Sequence, residues 1–351
     1  MTNLLASDLD HILDRTHDLW NEIGGQRIFI TGGTGFFGCW LLESLIAAGD
    51  RWHLGTSAVV LTRSPEAFRD REPRLAAHPG IQLLAGDVRT FAFPGGEFQY
   101  VVHAATEASV KQAVEAPLEM FTTIVEGTRR VLEFAHQHGA RKFLLTSSGA
   151  VYGRQPSEIT HLAEEYAGGP NPADPTSVYG EGKRSAELLC ALYAKLYGIE
   201  CKIARCFAFV GPHLPLDSHF AIGNFIGDAM RGGPVRVNGD GTPRRSYLYA
   251  ADLAIWLWTI LFQGENCRPY NVGSERDVDI AELANQVVRT LNPGLRVEIA
   301  REPVPGRLPE RYVPSTKRAQ AELGLRENID LSEAIARTAR WHKQRAISGS
   351  V

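Results

Sequence analysis

Through the first 207 positions, short apolar runs alternate with stretches of helical periodicity. The runs are RIFIT (27–31), SAVVLT (57–62), IQLL (81–84), YVVHA (100–104), KFLLTS (142–147) and CKIARCF (201–207). Their length and their β-branched residues read as buried strands, and the alternation predicts an α/β fold with a doubly wound parallel sheet. Beyond residue 208 the pattern loosens into a smaller α/β lobe. Its expected strands are PVRV (234–237) and PYNVG (269–273), and its expected helices lie near 219–232, 250–262, 278–292 and 331–346. Ahead of the first strand, Leu9, Ile12, Leu13 and Leu19 recur near helical spacing and predict a short amphipathic helix over 7–21. The pattern thus divides the chain into an N-terminal helical extension (1–25), a first domain (26–207) and a C-terminal lobe (208–345) that returns in part to the first domain.

Composition narrows the function classes. With 351 residues the chain can bury a sizeable core, and its net charge of -3 does not suit a nucleic-acid partner. No apolar run approaches the roughly 20 residues that span a bilayer, and the N-terminus has no signal-peptide pattern. Five scattered cysteines form no C-x-x-C pair, so neither a disulfide framework nor a structural metal site is expected. A cytoplasmic protein is the expectation.

The chemistry begins at FITGGTGFFG, where Gly32, Gly35 and Gly38 follow the first strand in a G-x-x-G-x-x-G spacing and open a helix. Glycines here allow a tight turn and let backbone amides and the helix N-terminus approach a pyrophosphate, so Gly32, Thr34, Gly35, Phe36, Phe37 and Gly38 are candidate cofactor-binding residues of a Rossmann domain. After the third strand, Asp87 and Val88 stand where an adenine would be flanked. After the fourth, Ala104 and Ala105 are small enough for backbone to approach the cofactor. The second strand ends in Thr62, Arg63 and Ser64, with no acid to accept the ribose hydroxyls of NAD. Arg63 can pair with the 2′-phosphate of NADP or stack on adenine, so the expected cofactor is NAD(P), tipped towards NADP.

Tyr179 and Lys183, in SVYGEGKRSAELL, are four apart on a helical stretch and share one face. An ammonium beside a phenol, helped by a nicotinamide cation, is expected to lower the phenol pKa and make a usable acid or base near neutral pH. Ser148 would hydrogen-bond the reacting oxygen.

Taken in order, TGGTGFFG, GDV, HAAT, SSGAVYG, YGEGK, RCFAFVGP, RRSYLYAADLA and YNVGS make the chain resemble the extended short-chain dehydrogenase/reductases, specifically the nucleotide-sugar epimerase/dehydratase group, from about residue 26 to 345. The resemblance implies a nicotinamide cofactor in the Rossmann domain, a nucleoside-diphosphate sugar as substrate, and Ser148, Tyr179 and Lys183 as catalytic residues, with the last two also touching the cofactor. It further implies that Asn224, Arg245 and Arg311 hold the diphosphate side, and that helices near 107–137 and 177–197 form a four-helix homodimer interface. Glu107, on the loop after the fourth strand, is a candidate sugar contact. Two positions depart from the family pattern: Ala208 and Ile124 stand where it commonly has Asn.

In the family's 4,6-dehydratases Asp and Glu follow the active-site Ser/Thr, and in its decarboxylases an acid stands at the second of these positions. Here they are Gly149 and Ala150. Elimination has lost its usual carboxylates while hydride transfer keeps its residues, so the expected activity is a 4-epimerase acting by transient oxidation at C4. A 4-ketoreductase using NADPH is the alternative, and a dehydratase or a non-catalytic cofactor- or RNA-binding member of the fold stands further off.

Overall fold

The computed structural model describes residues 4–105, 110–218 and 220–348. The six apolar runs form β1 (Arg27–Thr31), β2 (Ser57–Thr62), β3 (Ile81–Ala85), β4 (Tyr100–His103), β5 (Lys142–Ser148) and β6 (Glu200–Cys206). β1, β4, β5 and β6 are almost wholly buried, as strands covered on both faces must be. With the strand Pro269–Val272 they build a seven-stranded parallel sheet in the order Pro269–Val272, β6, β5, β4, β1, β2, β3. The run at 269–273, expected in the C-terminal lobe, is therefore an edge of the central sheet. The helix before it, Ala250–Gln263, is buried all round and returns the chain there.

Two compact units emerge. The first comprises residues 1–153, 167–206 and 254–270, and the second 154–166, 207–253 and 271–351. In the first unit, α1 (Ala6–Thr16) continues as a 3-10 turn to Glu22 and buries Leu9, Ile12 and Leu13. α2 (Phe36–Trp52) follows β1 directly; α3 (Pro65–Arg71) and α4 (Pro73–Ala76) lie between β2 and β3. The helix expected over 107–137 is broken into α5 (Val110–Glu115) and α6 (Pro117–Gln137), because Pro117 lacks an N–H and opens a new first turn. α7 (Val178–Tyr197) packs along α6. The core gathers Phe29, Phe91, Phe98, Phe134 and Phe143 with aliphatic neighbours from β2, β4, β5, α6 and α7.

The second unit holds α8 (Ala221–Met230) and a three-stranded sheet in which Arg244–Ser246 lies between Asp277–Asp279 and Arg311–Tyr312. Among the described residues no helix is long and apolar enough to cross a membrane.

Candidate active site

β1 lies between β4 and β2, the point at which the sheet order reverses and where ligands of doubly wound folds bind, beyond the carboxyl ends of the strands. A cavity of about 430 Å³ opens there, and its walls come from just after each strand: Gly32, Thr34 and Gly35 after β1, Arg63 and Ser64 after β2, Gly86 to Arg89 after β3, and Ala104 and Ala105 after β4. Gly32 has φ +69°, and a Cβ there would meet the Ala104 carbonyl at 2.5 Å. This turn admits only glycine. A Cβ on Gly38 would lie 2.3 Å from Gly33, so that glycine serves the close packing of α2 on the turn. Gly35 is the N-cap of α2 and makes no side-chain cap bond. A glycine turn that opens a helix carries the kind of backbone donor set that a pyrophosphate requires. Phe36, Phe37 and Gly38 begin α2 and are not among the lining residues.

The end of the cavity beyond β2 and β3 is more polar. Arg89 clasps Asp87 with two side-chain bonds, Nε to Oδ1 at 2.9 Å and Nη2 to Oδ2 at 2.8 Å, and adds its backbone N–H at 2.8 Å. Those bonds, with the nearby Arg63 guanidinium, hold the Asp87 carboxyl down at about 2. Val88 and Leu61 supply apolar wall. Arg71, which the sequence reading passed over, lines the same cavity and donates to the Thr34 carbonyl of the glycine turn.

His103, at the end of β4, fixes the loop that carries Ala104 and Ala105. The Ala105 N–H donates to Thr31 Oγ1 at 3.2 Å, so the Thr31 hydroxyl is free to donate to His103 Nδ1 at 2.7 Å. Nε2 then carries the proton and donates to Thr128 Oγ1 at 3.0 Å, and Thr128 donates to the Ile124 carbonyl at 2.7 Å. Burial pushes His103 down to about 3, so it stays neutral and the chain of bonds keeps one direction. A signal existed in the sequence: the strand's only polar residue directly precedes the small residues of HAAT.

Ser148 ends β5, and its Oγ accepts the Ala150 N–H at 3.1 Å in the 3-10 turn Gly149–Tyr152. The Tyr179 phenol is hydrogen-bonded to Ser148. Lys183, one turn on along α7, sends Nζ to the Thr146 carbonyl at 2.8 Å and lies 6.0 Å from the Tyr179 ring centroid. The three candidate catalytic residues are therefore brought together. Their electrostatics differ from expectation. Burial pushes the Tyr179 phenol up to about 12, with the Ser148 bond opposing it, and pushes Lys183 down to about 8. Taken alone the chain keeps the phenol protonated, because the cost of burying a phenolate exceeds what the Ser148 bond returns.

Glu107 lies outside the described residues. Ile124 is buried in α6, and its Cδ1 would meet a Cβ on Gly182 of α7 at 3.1 Å, so it serves helix packing. In the second unit Asn224 lies in α8. Arg311 binds Asp277 at 3.0 Å, and Arg244 binds the same carboxylate. Register pairs Arg311 with Arg244 and Tyr312 with Arg245, which places Arg245 and Arg311 on opposite faces of the small sheet. The Asp277 carboxyl is pushed up by burial, but the two arginines outweigh this and hold it below its usual value.

A glycine turn at the switch point of a doubly wound sheet, in the same unit as buried Ser148 and Lys183 and half-buried Tyr179, marks an α/β protein with a Rossmann-like fold. Comparison with known proteins assigns the family. The profile of the NAD dependent epimerase/dehydratase family matches residues 28–273, and the chain belongs to that family. UDP-glucuronic acid decarboxylase 1 of Arabidopsis thaliana is 32% identical over 323 residues, 92% of this chain and 71% of that one. UDP-glucuronic acid decarboxylase 6 of the same plant is 32% identical over 311 residues, 88% and 87% of the two chains. Among solved structures, the UDP-glucose 4-epimerase of Thermus thermophilus in complex with NAD superimposes with a TM-score of 0.73 at 27% identity, covering 90% of this chain and 99% of that one.

Proposed function

We propose that this protein is a nucleotide-sugar 4-epimerase. The observation that carries the reading is the turn after Ser148, where Gly149 and Ala150 offer no carboxylate beside an otherwise complete Ser148, Tyr179 and Lys183 group. The relatives named decarboxylases argue for a nucleoside-diphosphate sugar as the substrate class; the turn argues against their chemistry. The glycine turn and α2 would hold the pyrophosphate of the cofactor, Asp87 and Val88 its adenine, and Tyr179 and Lys183 its nicotinamide ribose. A bound nicotinamide supplies the hydride acceptor and donor, and in its oxidised form a positive charge that favours the phenolate.

The steps at the sugar follow from the chain's own groups. Ser148 orients the C4 hydroxyl towards Tyr179. The tyrosine takes that proton as C4 is oxidised, returns it when C4 is reduced on the other face, and is held in place throughout by Ser148 and by the lysine one turn away. No group at positions 149 or 150 draws a proton from C5, so the keto sugar is not diverted into elimination. Asn224, Arg245 and Arg311 are proposed to hold the diphosphate, and Glu107 to face the sugar.

A second reading rests on Arg63. An arginine where an acid would exclude phosphate favours NADPH, and with it a 4-ketoreductase that consumes its cofactor. For the epimerase, support comes from the Thermus relative's NAD. Exposed Leu118 and Phe121 on α6 and Leu188, Leu192 and Leu196 on α7 support a homodimer joined through these helices, which sedimentation would report as twice the chain mass.

The deciding experiment incubates the protein with UDP-, dTDP-, GDP- and CDP-hexoses, with and without added cofactor. Mass spectrometry and sugar analysis should find isomers of unchanged mass without cofactor consumption, and no 4-keto-6-deoxy product. Stoichiometric NADPH oxidation on a 4-keto sugar would move the assignment to the reductase, and a dehydrated or decarboxylated product would overturn both.

A further inference from the structure

Beside the reacting group the first unit buries an ion pair that the proposed chemistry leaves unused. Glu187 lies one turn beyond Lys183 on α7, and Arg205 of β6 stands opposite Ser147 of β5 in the sheet register. Arg205 grips the Glu187 carboxylate at both oxygens, Nε to Oε1 at 3.0 Å and Nη2 to Oε2 at 2.7 Å, and Ser147 Oγ donates to Oε1 at 2.6 Å. The same guanidinium lies over the Tyr152 ring, 4.8 Å from its centroid, in the turn that follows Ser148. Both charged side chains are nearly out of water. Stability is a weak account of such a pair, since well-packed apolar residues often serve as well.

Its placement supplies a better one. Residues 179, 183 and 187 stand on three successive turns of one helical face, and each binds one of three consecutive residues at the end of β5: Tyr179 binds Ser148, Lys183 binds Thr146, and Glu187 binds Ser147. We propose that Glu187 is a positioning residue of this site: clamped by Arg205 and Ser147, it laces α7 to the end of β5, fixes Ser148 against Tyr179, and faces the Lys183 ammonium with a carboxylate. This rests on the reading of Ser148, Tyr179 and Lys183 as the reacting group.

The groups that face Lys183 are Tyr179, Glu187 and Cys190 on its own helix, His103 on β4 and Cys206 on β6. Burial keeps Tyr179 and Cys206 protonated, each pushed up to about 12, raises Cys190 as well, and keeps His103 neutral at about 3. The Glu187 carboxylate, gripped by the Arg205 guanidinium, opposes the burial that pushes Lys183 down to about 8.

The chain has seven lysines, few enough to resolve by NMR after ¹⁵Nζ labelling, and the Lys183 signal is the one lost in Lys183→Arg. In the full-length protein, Glu187→Gln should lower the Lys183 midpoint by about one pH unit, the size expected when an opposite charge at close range is removed. Glu187→Asp, which keeps the charge, should restore most of it. A Lys183 midpoint that does not move in folded Glu187→Gln overturns the proposal. Where that variant shows no thermal transition, Glu187→Gln is made in Arg205→Met and compared with Arg205→Met alone, so that only the Glu187 charge differs, and the same drop in the Lys183 midpoint decides. Neither substrate nor cofactor enters the measurement, so a wrong sugar or a wrong reaction leaves its outcome standing.

Discussion

Two acid-base pairs of the first unit sit in opposite regimes. At the rim of the switch-point cavity, Asp87 and Arg89 are each about a third exposed, and direct bonds set the ionisation: the carboxyl is held at about 2. In the reacting group, Tyr179 and Lys183 are governed by burial, and each is pushed towards its neutral form. A rim pair is already in its working state and has only to be met by a ligand. The buried pair is poised the other way, and a positive charge arriving beside it changes which proton state is favoured. On the proposed reading, recognition falls to a polar rim whose charges are fixed by direct bonds, and chemistry to an interior whose phenol stays neutral until a positive charge arrives.

The largest effect that would test this division is at Tyr179. Tyr179→Phe removes the acid/base hydroxyl alone, and turnover should fall by a factor on the order of 10²–10⁴ while cofactor affinity, followed by fluorescence titration, stays nearly unchanged. Activity within a few-fold of wild type would end the interior half of the comparison. Lys183→Ala should come next, damaging both turnover and cofactor binding; a variant with normal cofactor affinity would restrict the lysine to tuning the phenol. With Lys183 at about 8, the alkaline limb of the wild-type rate profile should fall near that pH as the ammonium is lost.

Arg63 tests the rim. If it meets a 2′-phosphate, Arg63→Ala should lose on the order of 1–3 kcal/mol for NADP(H) by calorimetry, with little change for NAD(H). Equal losses for both cofactors would make it an adenine-stacking residue. The smallest effect belongs to Asp87. Its folded pKa lies below the unfolded value near 3.8, so the carboxylate stabilises the fold above pH 4 and loses that contribution as pH falls towards 2. Because the pair is partly exposed, Asp87→Asn should cost less than about 1 kcal/mol in urea melts near neutrality. The difference from wild type should vanish near pH 2, and a difference that grew in acid would reverse the sign.

Most of the central sheet was legible because buried parallel strands are written as unbroken apolar runs, and the glycine turn was legible because backbone geometry admits nothing else at Gly32. The placement of 269–273 was not, since its neighbour β6 lies more than sixty positions earlier and only the packing of Ala250–Gln263 returns the chain to it. Tyr179, Lys183 and Ser148 were readable from motif order, yet the direction of their pKa displacement was not, because burial is a property of the assembled core. Glu187 could have been found by extending the Tyr179–Lys183 stripe one turn further. Its partners Ser147 and Arg205 are 40 and 18 residues away in sequence, and sheet register alone reveals them.

Ile124 closes the seam between α6 and α7. Its apolar body sits against Gly182, and its backbone carbonyl receives the last bond of the relay that begins at Ala105. An asparagine there would put an amide into a buried helix seam and would leave a gap where the isoleucine methyls had been. Position 124 therefore takes a polar residue only together with compensating changes on α7, and Ile124→Asn alone should lower the melting temperature more than the same change at an exposed site of α6.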